Sequence, residues 1–342
     1  MKCKKCGKLT IFEYPGMKWS IQREIPSMWR YWRMLPPLGK RVTLNEGYTP
    51  IKRVDGILVK SEMMNPTRSY ADRASSLIAS SFDNLSVKYV RDFALSLAYY
   101  LKFSKKSIKV YVHPTEVDPQ ELIFLHHLGA EILLSYEHED CLDYENPFTI
   151  EGLKTIAFEI VEKRVNIDEI YVPAETGMLA LSVIKGLQEV LEAGVDVNYS
   201  VIAVTVGGES KKLPKGIKSV NVEPSEALKT LVRLAKVGIR TELFSASAFT
   251  AALNSKSGMA VLTGSSRINI RLRRGRLSLI KSDIRQVLEK KGPATAYEVW
   301  EHIRRYSLRG VYKALLNLEA EGQVKGDYVM YGNRKVKKYR LL

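Results

Sequence analysis

Apolar positions along this chain follow two regimes. Between about residues 40 and 265, short β-like runs alternate with helical stretches. The runs include Ile108–Val112, Glu131–Ser135, Ile170–Val172 and Tyr199–Thr205; the helical stretches include Glu121–Leu128, Ile150–Lys163 and Leu179–Leu191. Strands separated by helices predict an α/β body on largely parallel sheets. After residue 278 the spacing changes. Leu279, Ile280, Ile284, Val287 and Leu288 share one helical stripe, which stops at Lys291-Gly292-Pro293. Thr295 with Glu298 is a capping-box signal for a second helix, with Val299, Trp300 and Ile303 turned inward. Ser307 can cap a third, with Leu308, Val311, Leu315 and Leu318 as its buried face and Gly322 at its C′ position. Two strands, about 323–331 and 334–341, then meet at Gly332-Asn333.

Charge changes how this last segment reads. The chain has 342 residues and a formal charge of +16. From Arg267 onward there are 19 Lys/Arg against 7 Asp/Glu, while residues 1–266 hold 34 against 30. A basic module on a near-neutral body implies a polyanionic partner. Three cysteines argue against a disulfide framework. The sequence offers neither a run of about 18 apolar residues nor the apolar core of a signal peptide. The expected location is therefore cytoplasmic and nucleoid-associated, with no membrane partner.

Three short helices and a ribbon make a winged helix-turn-helix (α+β) pattern, and Leu308–Gly322 resembles the recognition helix of archaeal and bacterial winged-helix regulators. The expected partner is double-stranded DNA. Arg309 and Lys313 are an i,i+4 pair beside Tyr312 and near Ser307, aimed at a major groove. Arg304 and Arg305 precede the helix, and Arg334, Lys335, Lys337, Lys338 and Arg340 line the wing, all suited to phosphates. The alternatives are a protein-contact module with a solvated basic face, or an RNA-binding one.

Several strings in the body resemble threonine synthase, a pyridoxal-phosphate (PLP) enzyme of fold type II with the tryptophan-synthase-β architecture. They are Leu44–Ile51, Val59-Lys-Ser-Glu62 with Asn65–Arg73, His127–Ile132, Ile150–Ile160 and Leu262–Ser265. The resemblance implies a catalytic lysine where this chain has Ala71, and a methyl group cannot form the Schiff base. It implies a Ser-Ser/Thr-Gly-Asn loop where Tyr89-Val90-Arg91-Asp92 stands. It also implies a phosphate-cradling glycine turn where Glu175 follows Val172-Pro-Ala174. The body is accordingly expected to be a pseudoenzyme with no cofactor, PLP having been lost. Lys60 and Lys154 lie within the family's motifs, but not at the imine position. The old cleft is expected either to bind an amino acid or small anion through Arg68, Ser69, Arg73, Arg91, Asp92, Thr176, Gly177 and Thr263, or to be a filled-in dimer scaffold.

Cys3-Lys-Lys-Cys6-Gly7 is a zinc knuckle without a second pair. A metal-free remnant is preferred over a zinc site at Cys3 and Cys6. Trp29-Arg-Tyr-Trp-Arg33 is expected to anchor the N-terminal arm on the body. The expected organisation is a remnant and arm over 1–40, a pseudoenzyme domain over 41–266, a basic linker over 267–277 and a winged helix over 278–342. Three functions follow: a homodimeric transcriptional regulator, a sequence-tolerant chromatin-type protein, or a metabolic enzyme with other chemistry and a nucleic-acid tether.

Overall fold

The computed structural model describes residues 9–115, 118–135, 141–208, 213, 216–255, 257–264, 279–320, 322–332 and 334–342. Cys3, Cys6 and the 267–277 linker lie outside them. The chain divides into two compact units, Met1–Arg267 and Ile268–Leu342.

In the first unit, a 3-10 helix over Met28–Met34 precedes a hairpin of β1 (Ile51–Val54) and β2 (Ile57–Ser61). Then come α1 (Asp72–Ser81), β3 (Asn84–Lys88), α2 (Phe93–Phe103), β4 (Ser107–Val112), α3 (Pro119–Leu128) and β5 (Glu131–Leu134). The unit continues with α4 (Pro147–Glu162), β6 (Glu169–Pro173), α5 (Met178–Glu192), β7 (Ser200–Val206), β8 (Ser219–Val222), α6 (Pro224–Lys236), α7 (Leu243–Leu253) and β9 (Gly258–Leu262). The larger sheet has the order β1-β2-β9-β6-β7-β8, and the smaller one β3-β4-β5. Every pairing is parallel except β1 with β2. The alternating pattern of the sequence is thus an α/β unit with parallel sheets.

Helix α4 is buried from Pro147 to Val161 because α1 and α5 pack along it. Asn146 caps it, accepting the Thr149 N–H at 3.0 Å, and Pro147 has no N–H to leave unpaired. Glycine sets the spacing on both sides. A Cβ on Gly152 would stand 2.5 Å from the Arg73 carbonyl oxygen, and one on Gly186 2.6 Å from that of Lys154. The aromatic arm anchors the N-terminus as expected. Trp29 Nε1 donates to Ser76 Oγ at 2.9 Å, and Tyr31 packs edge-on against Phe158.

The second unit comprises α8 (Leu279–Lys291), β10 (Ala294–Thr295), α9 (Ala296–His302), α10 (Leu308–Ala320), β11 (Val324–Tyr331) and β12 (Arg334–Leu341). Its core joins Ile284, Leu288, Val299, Val311, Leu315, Leu318, Val324 and Tyr339. The Thr295–Glu298 capping box is present. The ribbon gains a third strand, β10, a two-residue segment too short to show in the pattern. Leu308, expected in the core, is 40% exposed. It opens α10, and a Cβ in the first turn tilts past the helix end, away from the packed face.

Candidate functional site

A cavity of about 640 Å³ opens in the first unit where strands of both sheets end. Its wall takes Lys88 from the end of β3, Pro173 from β6 and Thr263 from just past β9, with Tyr70 and Ala71 from the turn into α1. The carboxyl ends of parallel strands are where such sheets leave a crevice, because their connections diverge there.

The wall is ordered by hydrogen bonds. The Tyr70 hydroxyl meets that of Tyr144 at 2.8 Å, and the Tyr70 N–H donates to the Thr263 carbonyl at 2.8 Å. Burial pushes the Tyr70 phenol up to about 12, with the Tyr144 hydrogen bond working against the rise. Arg91 reaches Glu242 at 3.4 Å and Asp118 at 3.8 Å. Burial raises the Glu242 carboxyl, Arg91 lowers it, and Glu175 raises it again. Asp92 takes a left-handed backbone (φ +68°), and its N–H donates to Glu121 at 3.0 Å.

At the entrance to α5, Gly177 is also left-handed (φ +78°), and the Met178 N–H donates to Thr176 Oγ1 at 3.4 Å. This places the N-terminus of a 15-residue helix on the cavity wall, a favourable place for an anion. Glu175 stands beside the turn and opposes it.

The cavity collects Ala71, Arg91, Asp92, Glu175, Thr176, Gly177 and Thr263 from the expected ligand residues. Arg68, Ser69 and Arg73 do not line it. Arg68 is exposed elsewhere, and Ser69 is buried, its Oγ accepting the Ala71 N–H at 3.2 Å. Arg73 is wholly buried between Glu62 (2.7 Å) and Glu159 (2.5 Å), and donates to Thr155 at 2.8 Å. Burial alone would raise the Glu62 carboxyl, but Arg73 and Lys60 outweigh it and hold it far below the usual range. Lys60 sits in the same network, 2.5 Å from Glu159. Lys154 is fixed by Glu151 (2.5 Å) and Glu189 (2.7 Å). Neither lysine reaches the cavity.

The residues that sequence reasoning missed are Lys88, Tyr70, Tyr144 and Glu242. Lys88 had one local signal, a cation closing a β run at the strand end that faces a crevice. Tyr70 lay inside the quoted Asn65–Arg73 string, but its pairing with Tyr144, 74 positions away, had no local signal.

In the second unit, Arg309, Tyr312 and Lys313 are exposed on the outer side of α10. Ser307 acts as a cap, its Oγ accepting the Gly310 N–H at 3.1 Å. Several expected phosphate contacts already hold carboxylates: Arg305 with Asp283, Lys337 with Glu319 (2.7 Å), Arg340 with Asp327 (3.4 Å) and Arg304 with Glu301 (3.8 Å). Lys335 lies over the Tyr328 ring. The side chain of Arg334 is outside the described residues. Among the described residues no helix is long and apolar enough to cross a membrane, and no group of three or more His, Cys, Asp or Glu could hold a metal.

Residues 42–220 match the family described as pyridoxal-phosphate dependent enzyme. The chain is 26% identical over 276 residues to a threonine synthase of Methanosarcina acetivorans, covering 69% of this chain and 68% of the relative. It is 30% identical over 199 residues to a threonine synthase of Methanocaldococcus jannaschii, covering 46% and 49%. Among solved structures, the serine racemase of Dictyostelium discoideum aligns with a TM-score of 0.56 at 15% identity, over 65% of this chain and 93% of that one. The maize serine racemase aligns with a TM-score of 0.53 at 13% identity, over 64% and 90%. These structures support the fold alone.

Two expectations are corrected by these matches. The chain was expected not to be an enzyme and to need no cofactor, yet its family is one of PLP-dependent enzymes and its curated relatives are threonine synthases. The expectation rested on Ala71, on the Tyr89–Asp92 loop and on Glu175; the family match overturns it. The lining itself does not fit that cofactor: Thr176, Gly177 and the α5 N-terminus offer donors to a phosphate, but Glu175 stands beside them, Asp92, Asp143, Glu145 and Glu242 share the wall, and Ala71 offers no amine.

Proposed function

As the chain belongs to the pyridoxal-phosphate dependent enzyme family, we propose that it joins a cavity of that family to a DNA-binding winged helix and acts as a transcriptional regulator. The second unit binds duplex DNA, and the cavity of the first takes a small effector, an amino acid or small anion. Arg91 would meet the effector's carboxylate, with Tyr70 and Tyr144 walling the cavity. Two copies would set two reading heads on a palindromic site.

The DNA reading is carried by Arg309 and Lys313. They are exposed on α10 opposite its buried Val311–Leu315 side, and among the described residues neither forms an ion pair. Cations already bound to carboxylates would give up those contacts to reach phosphate, whereas these two lose nothing. Fluorescence anisotropy with a random duplex pool at two salt concentrations, followed by selection of the bound sequences, tests it. Wild type is expected to yield a recurrent motif. Arg309→Ala/Lys313→Ala is expected to lose about tenfold or more in affinity, and its salt slope should flatten by about 0.9 for each phosphate contact removed. Binding without a motif, falling steeply with salt, would instead indicate the chromatin-type reading. A wild-type chain that ignores duplex DNA ends both.

A second reading, threonine synthase activity, is supported by the two curated relatives. Threonine formation by the purified chain with added PLP tests it directly.

A further inference from the structure

We propose that the effector of this cavity is an amino acid with a cationic side chain, its α-ammonium seated between Glu242 and Asp92. The inference rests on the reading of the cavity as an effector site and not on the DNA reading. The seat is at Gly264, directly after Thr263 of the cavity wall. A Cβ built on Gly264 would stand 3.7 Å from Glu242 Oε2, 3.8 Å from Asp92 Oδ2 and 3.8 Å from the Arg68 carbonyl oxygen. Three oxygens thus converge on a point that glycine leaves unfilled. An ammonium brings three N–H donors to such a point, and an anion brings none.

Glu242 divides its two oxygens. Oε1 meets Arg91 Nη2 at 3.4 Å, while Oε2 faces Gly264. Arg91 meets Asp118 through Nε at 3.8 Å, and its Nη1 has no partner among the described residues. A cation seat and a spare N–H donor therefore lie side by side, as the adjacent ammonium and carboxylate of an amino acid require. The tyrosine pair supplies another donor. Of the Tyr70 and Tyr144 hydroxyls, 2.8 Å apart, only one can donate to the other. The second proton is left without an acceptor among the described residues, although Tyr144 is only 4% exposed. The rest of the wall sets the side chain. It carries five carboxylates against Lys88 and Arg91, in a chain of formal charge +16. Burial and the Tyr70 neighbour raise the Tyr144 phenol, and Glu175 and Glu145 add to the rise, so both carboxylates act on the pair. A second positive charge on the ligand relieves the repulsion among these acids, whereas a small anion adds to it. Tyr70, Tyr144 and Phe244 offer the ligand's stem an apolar surface and its cation aromatic neighbours.

Isothermal titration of the full chain with lysine, arginine, norleucine, cadaverine, glutamate and inorganic phosphate separates the groups. The better of lysine and arginine is expected to bind about tenfold or more tighter than norleucine, which lacks the side-chain cation, and than cadaverine, which lacks the carboxylate. Glu242→Gln and Asp92→Asn should each weaken it by about tenfold or more. Asparagine tolerates the left-handed backbone at position 92. Gly264→Ala puts a methyl in the seat at ordinary contact distance, so thermal unfolding should match wild type while binding is lost. Norleucine, cadaverine, glutamate or phosphate binding as tightly as the basic amino acid would overturn the proposal and leave the effector site standing. So would a Gly264→Ala chain that binds like wild type. If none of the six compounds binds, the effector reading falls as well.

Discussion

Arg73 and Arg309 show how differently the two units use charge. Arg73 is sealed in the first unit, with two carboxylates and a threonine hydroxyl on its guanidinium. Arg309 stands on the outside of α10 with no ion pair among the described residues. The first unit is nearly neutral because its cations and acids are nearly equal in number, and it turns several cations inward: Lys60, Arg73 and Lys154 all lie in buried networks. The second unit is basic because its cations outnumber the acids available to them. Charge turned inward specifies packing, and charge left outward specifies a partner. The same residue type therefore carries opposite information in the two units.

Stability measurements can break this comparison. The largest effect is expected for Arg73→Met, which leaves Glu62 and Glu159 buried with one cation fewer; the loss should be about 3–5 kcal/mol, read as a lowered first-unit transition in calorimetry. A loss under 1 kcal/mol would mean that the network is wetter than its burial indicates. Next comes Gly152→Ala, whose new methyl would meet the α1 backbone at Arg73 and cost about 1–3 kcal/mol in chemical denaturation. In the second unit, Thr295→Ala removes the N-cap of α9 and should cost about 1 kcal/mol, measured on that unit's transition. The smallest effect is predicted for Arg309→Ala/Lys313→Ala, which should leave unfolding unchanged within about 0.5 kcal/mol while weakening DNA binding. If the double variant unfolds much more easily, these cations belong to the fold and the contrast collapses.

Much of the fold could be read from the sequence because its signals are local. The strands at 107–112 and 169–173 stand within a residue or two of the apolar runs that announced them. The Thr295–Glu298 capping box needs only three residues of separation, and it forms as read. The site was less legible. Arg73 closes the motif that resembles the family's lysine segment, so it reads as a ligand contact. Its actual partner Glu159 lies 86 positions away and is invisible to any local pattern. Arg305 and Lys337 were read as phosphate contacts for the same reason, since Asp283 and Glu319 are 22 and 18 positions distant. Judging the cavity from Ala71, Tyr89–Asp92 and Glu175 was incomplete, because a pocket's lining depends on every element that reaches it. Lys88, from another strand, enters the same wall.

The sequence by itself determined the order of strands and helices, the caps that start them, and the concentration of positive charge in the last quarter of the chain. These follow from side-chain periodicity and backbone hydrogen bonding, which act over a few residues. Only the tertiary structure decided which cations remain available. Pairing and desolvation depend on groups brought together from distant positions, and they withdrew Lys60, Arg73 and Lys154 into the interior while leaving Lys88, Arg309 and Lys313 facing out.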